Sequence, residues 1–174
     1  MTRSRTITWE DPVDTFAAAS EMSGLEFLVA IGEGRLPQPP MGQLMGFEGL
    51  EAEEGRVVFA VTPNESHYNP IGVVHGGLAM TLLDSAMGCA VQSTLPAGSG
   101  YTSLETKVNF ARAITRDTGR ILCEAKVVHA GRTIATAEGR VFAQDTGKLL
   151  AHGTSTCLIV SANGHANGNG RPAA

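Results

Sequence analysis

The longest apolar run of the chain extends from Leu78 to Val91 and is interrupted only by Thr81, Asp84 and Ser85. A run that is apolar on all sides of a helical wheel is typical of a helix that is buried all round. Ala, Leu and Met favour helix over strand, and the run is too long for one ordinary strand. It is also too short, and too polar at its centre, to span a membrane. The pattern therefore predicts one buried central helix.

Six other segments have the composition and the turn signals of β-strands. They cover residues 44–51, 56–62, 101–111, 119–130, 133–144 and 149–160. Turn signals at short intervals separate the last four segments, which favours an antiparallel meander. Six strands and one fully apolar helix leave one economical arrangement, in which the sheet curls around the helix. The sequence therefore predicts an α+β fold with a curved antiparallel sheet wrapped around one long central helix.

The two ends of the chain differ from this central part. Residues 13–32 have the apolar spacing of one or two amphipathic helices, with Gly24 as a candidate break, and residues 36–40 (LPQPP) indicate a rigid extended connector. Residues 1–12 are expected to form a loosely held arm. Residues 161–174 are rich in Asn, Gly and Ala and are predicted to be disordered. The predicted organisation is an arm with a helical extension over 1–43, the main domain over 44–160 and a disordered tail over 161–174.

The charged residue inside the apolar run is the first candidate for chemistry. A carboxylate in an apolar helix is costly unless it is paired or hydrogen-bonded. On a helical wheel Gly77, Thr81 and Gly88 lie within about 60° of Asp84. All three are small, so the carboxylate lies in a stripe that an approaching substrate could enter. The alternative is an aspartate that only hydrogen-bonds a neighbouring loop.

The tripeptide His75-Gly76-Gly77 lies where the central helix should begin. The free N–H groups and the dipole at a helix N-terminus favour a developing negative charge, although a capping turn explains the tripeptide equally well. His75 and Asp84 are nine residues apart, which on a helix is about 13 Å of rise and half a turn. One chain cannot bring both to the same atoms. If both are catalytic, the site combines His75 of one subunit with Asp84 of another.

The spacing of these residues resembles a known motif. Asn69 precedes His75 by six residues, and Asp84 follows it by nine. This pattern resembles that of the hotdog-fold acyl-CoA thioesterases of the PaaI-like branch, the phenylacetic acid degradation and 4-hydroxybenzoyl-CoA thioesterase type. The resemblance covers roughly residues 44–159. It implies the hotdog architecture, hydrolysis of an acyl-CoA to the free acid and CoA, and a cytoplasmic homo-oligomer, either a dimer or a tetramer built as a dimer of dimers.

The resemblance also implies roles for individual residues. Asp84 is expected to act as general base or as nucleophile, and Ser103, with Thr102 as the adjacent fallback, to support the attacking water. Ser103 and Glu105 are two apart on a predicted strand, which places them on one face. Contacts with CoA are expected at a hairpin tip and a nearby strand end, at His129, Gly131, Arg132, Thr133 and Arg112.

The start of the central helix is expected to bind the thioester carbonyl oxygen and to position the water or the leaving group. The N–H of Gly76 or Gly77 would polarise the thioester carbonyl. Asn69 or His75 would position the water or the leaving thiolate.

Composition narrows the partners and cofactors. A formal charge of −4 and a pI near 5.7 argue against a nucleic-acid partner. The three cysteines form no CxxC pair and no apolar signal segment follows the first residues, which indicates a reducing, cytoplasmic compartment and no membrane association. Neither metal-ligand spacing nor a glycine-rich phosphate loop is found in the sequence, so no cofactor is expected beyond the CoA of the substrate.

Two alternatives remain open from the sequence. The first is a hotdog hydratase or dehydratase, which resembles this chain less because residue 70, five before His75, is proline where that motif has an aspartate. The second is a non-catalytic acyl-CoA-binding protein. Such proteins usually carry a DNA-binding domain, and the first 43 residues are too few and insufficiently basic to form one.

Overall fold

The computed structural model describes residues 2–161. Within them, two 3-10 turns at Glu65–His67 and Arg116–Thr118 accompany four α-helices and six β-strands. The helices are α1 (Pro12–Ala19), α2 (Gly24–Gly32), α3 (Pro40–Met45) and α4 (Gly76–Gln92). The strands are β1 (Phe47–Glu53), β2 (Arg56–Val61), β3 (Ser99–Phe110), β4 (Ile121–Ala130), β5 (Ile134–Ala143) and β6 (Leu149–Ser161).

All six strands form one antiparallel sheet in the order β1-β2-β4-β5-β6-β3, and α4 packs against every one of them. Leu82, Leu83 and Met87 of α4 have no solvent exposure. Gly139 of β5 permits close packing, because a Cβ atom there would lie 2.8 Å from Leu83 Cδ2. The sheet thus curves around the helix, and the predicted hotdog architecture is confirmed.

The helical extension contains one helix that the sequence pattern did not reveal. Leu44 was expected to begin a strand, but it lies in α3, so that β1 begins at Phe47. Pro40 occupies the first turn of α3, where a missing N–H costs nothing. Gly46 then ends the helix in the left-handed conformation, with φ of 70°. The prolines that indicated an extended connector therefore also start a helix.

The candidate break at Gly24 is in fact the first residue of α2. Ser23 caps this helix and forms a reciprocal capping box with Glu26. A Cβ atom on Gly24 would overlap the carbonyl oxygen of Gln92, so the glycine lets α2 pack closely on the end of α4. At the other end of the chain, Ser161 is the last residue of β6. The rest of the predicted disordered tail, residues 162–174, lies outside the described residues.

Residues 2–11 form neither helix nor strand, yet two arginines connect them to the body of the protein. Arg3 forms an ion pair with Glu65. Arg5 donates to Ser66 Oγ at 3.4 Å and to the carbonyl oxygen of Gln43 at 3.2 Å. The sequence predicted a loosely held arm, whereas these contacts join it to α3 and to the loop before α4. Exposed ion pairs of this kind stabilise by at most about 1 kcal/mol.

Within residues 2–161, one long edge of the sheet has no partner strand. β3 lies at one end of the strand order and contains twelve residues. Its Leu104 and Phe110 are 58% and 56% exposed. An uncovered edge of this length offers N–H and C=O groups to another strand. No helix within residues 2–161 is both long and apolar enough to cross a membrane.

Candidate active site

The carboxylate of Asp84 lies in the middle of α4 and is held by two hydroxyl groups. Its Oδ1 accepts a hydrogen bond from Thr106 Oγ1 at 2.9 Å and one from Ser103 Oγ at 3.2 Å. Both donors belong to β3 rather than to a loop. Within residues 2–161 no lysine, arginine or histidine pairs with Asp84, and its Oδ2 accepts no hydrogen bond from a protein group. A carboxylate oriented through one oxygen can accept a proton from a water molecule through the other.

A β-bulge between Ser103 and Glu105 decides which side chains reach the carboxylate. Ser103 is paired with Cys157, and Thr106 is paired with Ser155. Since Cys157 and Ser155 are two apart on β6, their partners Ser103 and Thr106 share a face, although three residues separate them. The prediction that Ser103 and Glu105 share a face is therefore wrong. Thr106 was missed because an extra residue in a strand leaves no mark in an alternating pattern.

Ser155 stabilises this irregular stretch from beneath. Its side chain is 2% exposed, and its Oγ donates to the carbonyl oxygen of Glu105 at 3.0 Å. The same Oγ lies 3.2 Å from Thr106 Oγ1. Each hydroxyl has one proton, which Ser155 donates to the Glu105 carbonyl oxygen and Thr106 donates to Asp84. Ser155 thus holds the backbone of the irregular stretch from β6, while Thr106 holds the carboxylate.

His75 is the N-cap of α4, and its side chain uses one of the free amides at the helix start. Its Nδ1 accepts a hydrogen bond from the Gly77 N–H at 2.9 Å. In the neutral imidazole the proton then resides on Nε2, which becomes a donor. The sequence left the N–H of either glycine available to a carbonyl, whereas here the Gly77 N–H is engaged. For the Gly76 N–H, no acceptor is found in the described part of the chain.

Asn69 shapes the loop that leads into α4. Its Oδ1 accepts hydrogen bonds from the N–H groups of Ile71 at 3.1 Å and Val73 at 3.2 Å. The loop turns at Gly72, which has a φ of 80°. Its last residue, His75, donates its N–H to the carbonyl oxygen of His67 at 2.8 Å. The Asn69 amide nitrogen makes no hydrogen bond within residues 2–161, so this group remains an available donor in the loop that leads into α4.

The two sets of predicted residues lie at different places along α4. One set is Asp84 with Ser103, and the other is Asn69, His75 and Gly76. Because α4 is continuous from Gly76 to Gln92, the interval of nine positions from His75 to Asp84 corresponds to about 13 Å of rise and a net rotation of half a turn. Within one chain the structure therefore brings Ser103 to Asp84 and places Asn69 in the loop that leads to His75 and Gly76, but it does not bring the two sets to one point.

The residues expected to contact CoA are also divided. The hairpin between β4 and β5 carries His129, Gly131, Arg132 and Thr133. Sheet pairing places this hairpin beside the end of β3 that contains Ser103, whereas Arg112 follows the opposite end and donates to the Leu149 carbonyl oxygen at 2.8 Å. Nine residues of strand separate the two ends, roughly 30 Å. One chain therefore does not gather Arg112 and the hairpin into a single patch.

Comparison with known proteins shows which family this chain resembles. The family model described as Thioesterase superfamily matches residues 71–150. A protein of Deinococcus radiodurans that carries the name of an esterase is 33% identical over 128 residues, which cover 72% of this chain and 84% of that protein. Human acyl-coenzyme A thioesterase 13 is 31% identical over 108 residues, covering 62% of this chain and 75% of that protein.

A solved structure extends the similarity of fold. The PaaI protein from the phenylacetic acid degradation operon of Escherichia coli superimposes with a TM-score of 0.69 at 19% identity, over 82% of this chain and 96% of that one. The family match begins after Asn69 and includes His75, Asp84, Ser103 and Thr106. Helices α1 to α3 lie outside it.

Proposed function

The chain belongs to the thioesterase superfamily and is a thioester hydrolase, and from this premise we propose that it hydrolyses acyl-CoA at a site centred on Asp84. Membership of this family sets aside the hydratase and the non-catalytic binding protein that the sequence left open. The proposal rests on one observation: a carboxylate in an apolar helix, oriented by two hydroxyls, with one oxygen unengaged. The name of the human relative supports CoA as the carrier of the acyl group.

Two routes are compatible with this carboxylate. As general base, Asp84 takes a proton from water, the water oxygen bonds to the thioester carbon, and the carbon–sulfur bond breaks as the proton passes to the CoA thiolate. As nucleophile, a carboxylate oxygen bonds to the same carbon, CoA leaves, and water hydrolyses the resulting anhydride. In both routes Ser103 and Thr106 hold Asp84 Oδ1 while the other oxygen reacts. Neither route needs a cofactor other than the CoA of the substrate.

The start of α4 supplies the groups that would stabilise the developing oxyanion. The Gly76 N–H has no acceptor among residues 2–161, and the helix dipole adds a partial positive charge at the same point. The amide of Asn69 and Nε2 of His75 are further donors at this end, suited to the leaving sulfur or to water. A Cβ atom on Gly76 would lie 3.1 Å from the Phe110 ring, so a side chain at this position would crowd the approach of a carbonyl.

We propose further that the complete site combines two subunits. The distance along α4 prevents one chain from supplying both Asp84 and the oxyanion donors. The uncovered β3 edge offers a surface on which a second copy can pair, and antiparallel pairing brings opposite strand ends together. Arg112 of one subunit then lies towards the His129–Thr133 hairpin of the other, where arginine can bind phosphate oxygens of CoA. Light scattering distinguishes the proposed dimer from a monomer or from a tetramer of two such dimers.

A thiol-release assay over a panel of acyl-CoAs tests the activity. Asp84→Asn keeps an oxygen that can accept from Ser103 and Thr106 but can neither take a proton nor attack, so turnover should fall at least about a thousandfold. Glu105→Gln is the matched control, because it removes a nearby exposed carboxylate on the opposite face of β3. Normal turnover by Asp84→Asn, or equal losses in both variants, would exclude the proposed role of Asp84.

A further inference from the structure

A cavity of about 420 Å³ lies between the helical extension, the β1–β2 hairpin and α4. Its outer wall includes Val29 of α2 and Met41 of α3. Phe47 and Phe59 line the strand side, and Cys89 lines the side of α4. The outer wall thus comes from residues that precede the family match over 71–150. This compartment is closed by a part of the chain that is not shared with the family model.

The cavity begins beside the proposed catalytic carboxylate. Ser85, the residue after Asp84, lines it. Tyr101 also lines it, and a Cβ atom on Gly88, one helical turn beyond Asp84, would overlap the Tyr101 ring. Tyr101 and Ser103 are two apart on β3 before the bulge, so they share a face. The side chain next to the Ser103–Asp84 hydrogen bond is therefore a wall of the cavity.

The negative charge of Asp84 contributes to the raised pKa values of two side chains in this wall. Burial raises the pKa of the Tyr101 phenol well above its usual value, and the nearby cysteines and Asp84 raise it further. Burial likewise raises the pKa of the Cys89 thiol to about 12, with a second contribution from Asp84. Both groups are thus neutral at physiological pH. On the side formed by α4 and β3, an acyl group whose thioester carbon is attacked by Asp84 would therefore meet uncharged groups.

The lining favours hydrocarbon. Its uncharged polar lining groups are the Tyr101 hydroxyl, the Cys89 thiol, Ser85 and the amide of Gln38, and most of the other lining side chains are aliphatic or aromatic. The charged side chains at its rim include Glu51, which is exposed and pairs with Arg56 at 2.7 Å. Among residues 2–161, no lysine or arginine lines the cavity, so it offers no cation to the phosphates of CoA and does not suit the nucleotide end. A volume near the lower end of ligand pockets, which run from about 300 to 1,000 Å³, suits a compact apolar group.

We propose that this cavity holds the acyl group, that the preferred acyl group is apolar and of medium length, such as octanoyl, and that α2 and α3 set its upper size limit. This inference rests on the proposed acyl-CoA hydrolysis and adds the substrate class. In this assignment Val29 and Met41 determine specificity. They form the cavity wall that lies opposite α4, the helix that carries Asp84.

Two substitutions in opposite directions test the assignment. Val29→Phe adds bulk from α2, and it should lower kcat/KM for octanoyl-CoA and decanoyl-CoA by at least about tenfold while leaving acetyl-CoA within about twofold. Met41→Ala trims a side chain that is 52% exposed, so folding is little affected. It should raise kcat/KM for dodecanoyl-CoA relative to octanoyl-CoA severalfold. Val13→Phe is the matched control, because Val13 is 70% exposed on α1 and does not line the cavity.

The outcomes separate this inference from the activity on which it rests. A wild-type protein that hydrolyses no acyl-CoA of any length would overturn the proposed function itself. A wild-type protein that hydrolyses acyl-CoAs but shows the same chain-length profile after Met41→Ala and Val29→Phe would overturn only the cavity assignment. If Val29→Phe does not fold, the profile of Met41→Ala decides. A change of profile in Val13→Phe as large as in Val29→Phe would also contradict the assignment.

Discussion

Two inactive variants should restore each other's activity when their subunits are exchanged. Asp84→Asn removes the base or nucleophile but keeps an acceptor for Ser103 and Thr106. Asn69→Asp keeps the oxygen that accepts from Ile71 and Val73 but loses the amide donor beside the helix start. Each homodimer then lacks one half of both of its sites. In a heterodimer, one site contains both altered halves and the other contains two intact halves.

The expected recovery follows from the geometry of α4 and from counting. The unbroken helix holds the two sets of residues about 13 Å apart, several times the reach of a hydrogen bond, so a productive site must draw on two chains. Random exchange of equal amounts makes half of the dimers heterodimers. Since one of their two sites is intact, activity should approach about a quarter of wild type.

Thiol release is measured after the two variants have been mixed under conditions that exchange subunits, with distinct affinity tags to confirm heterodimers. The control mixes Asp84→Asn with the double variant Asp84→Asn/Asn69→Asp, a pair that cannot assemble an intact site. Confirmed heterodimers without any recovery would place both sets of groups in one chain, and the shared site would be refuted. Equal recovery in the control would show that exchange alone alters the assay.

Three further predictions concern single positions. Thr106→Val should lower kcat by about tenfold to a hundredfold with KM nearly unchanged, because Asp84 loses its 2.9 Å donor. Thr102→Val is the control, and an equal loss of kcat in both variants would contradict the role of the bulge. Burial and then the charge of Arg5 lower the pKa of His67, so the unfolded chain binds the proton more readily and stability should fall as the pH drops below about 6.5. Between pH 7 and 5 the melting temperature of His67→Gln should therefore fall less than that of wild type or of the exposed His152→Gln. Equal falls in melting temperature for all three proteins would exclude His67 as the cause. Gly139→Ala should reduce the free energy of unfolding by about 1–3 kcal/mol, because its Cβ would lie 2.8 Å from Leu83 Cδ2. A Cβ atom on Gly32 would meet no atom within 4 Å, so Gly32→Ala should not reduce the free energy of unfolding in denaturant titrations. Similar reductions for the two variants would argue against tight packing of the sheet on α4.

Much of the fold could be predicted from local pattern. The fully apolar run predicted α4 because burial on all sides is visible in composition alone. Four strands after it were predicted within one or two residues at nearly every boundary, because turn signals and alternation are local properties. The helix α3 was missed since its proline start resembles an extended connector, and Leu44 was assigned to the strand instead.

The candidate site was predictable only in part. Asp84 stood out because a charge in an apolar helix is unusual by itself, and the separation of His75 from Asp84 follows from helix geometry. The use of the Gly77 N–H by the His75 side chain was not predictable, because it depends on the rotamer that the histidine adopts as N-cap.

What the sequence determined by itself is therefore the set of elements, the buried helix and the position of its one carboxylate, since each depends on neighbours along the chain. The tertiary structure alone decided which groups meet that carboxylate. The bulge between Ser103 and Glu105 turns Thr106 towards Asp84. Such a shift arises from pairing with β6, whose Ser155 donates a hydrogen bond to the carbonyl oxygen of Glu105, fifty residues earlier in the chain. The cavity beside Tyr101 is likewise a space between α2, α3, β1, β2 and α4. Spaces between elements and the register of distant strands are fixed by long-range packing, so no local pattern of residues encodes them.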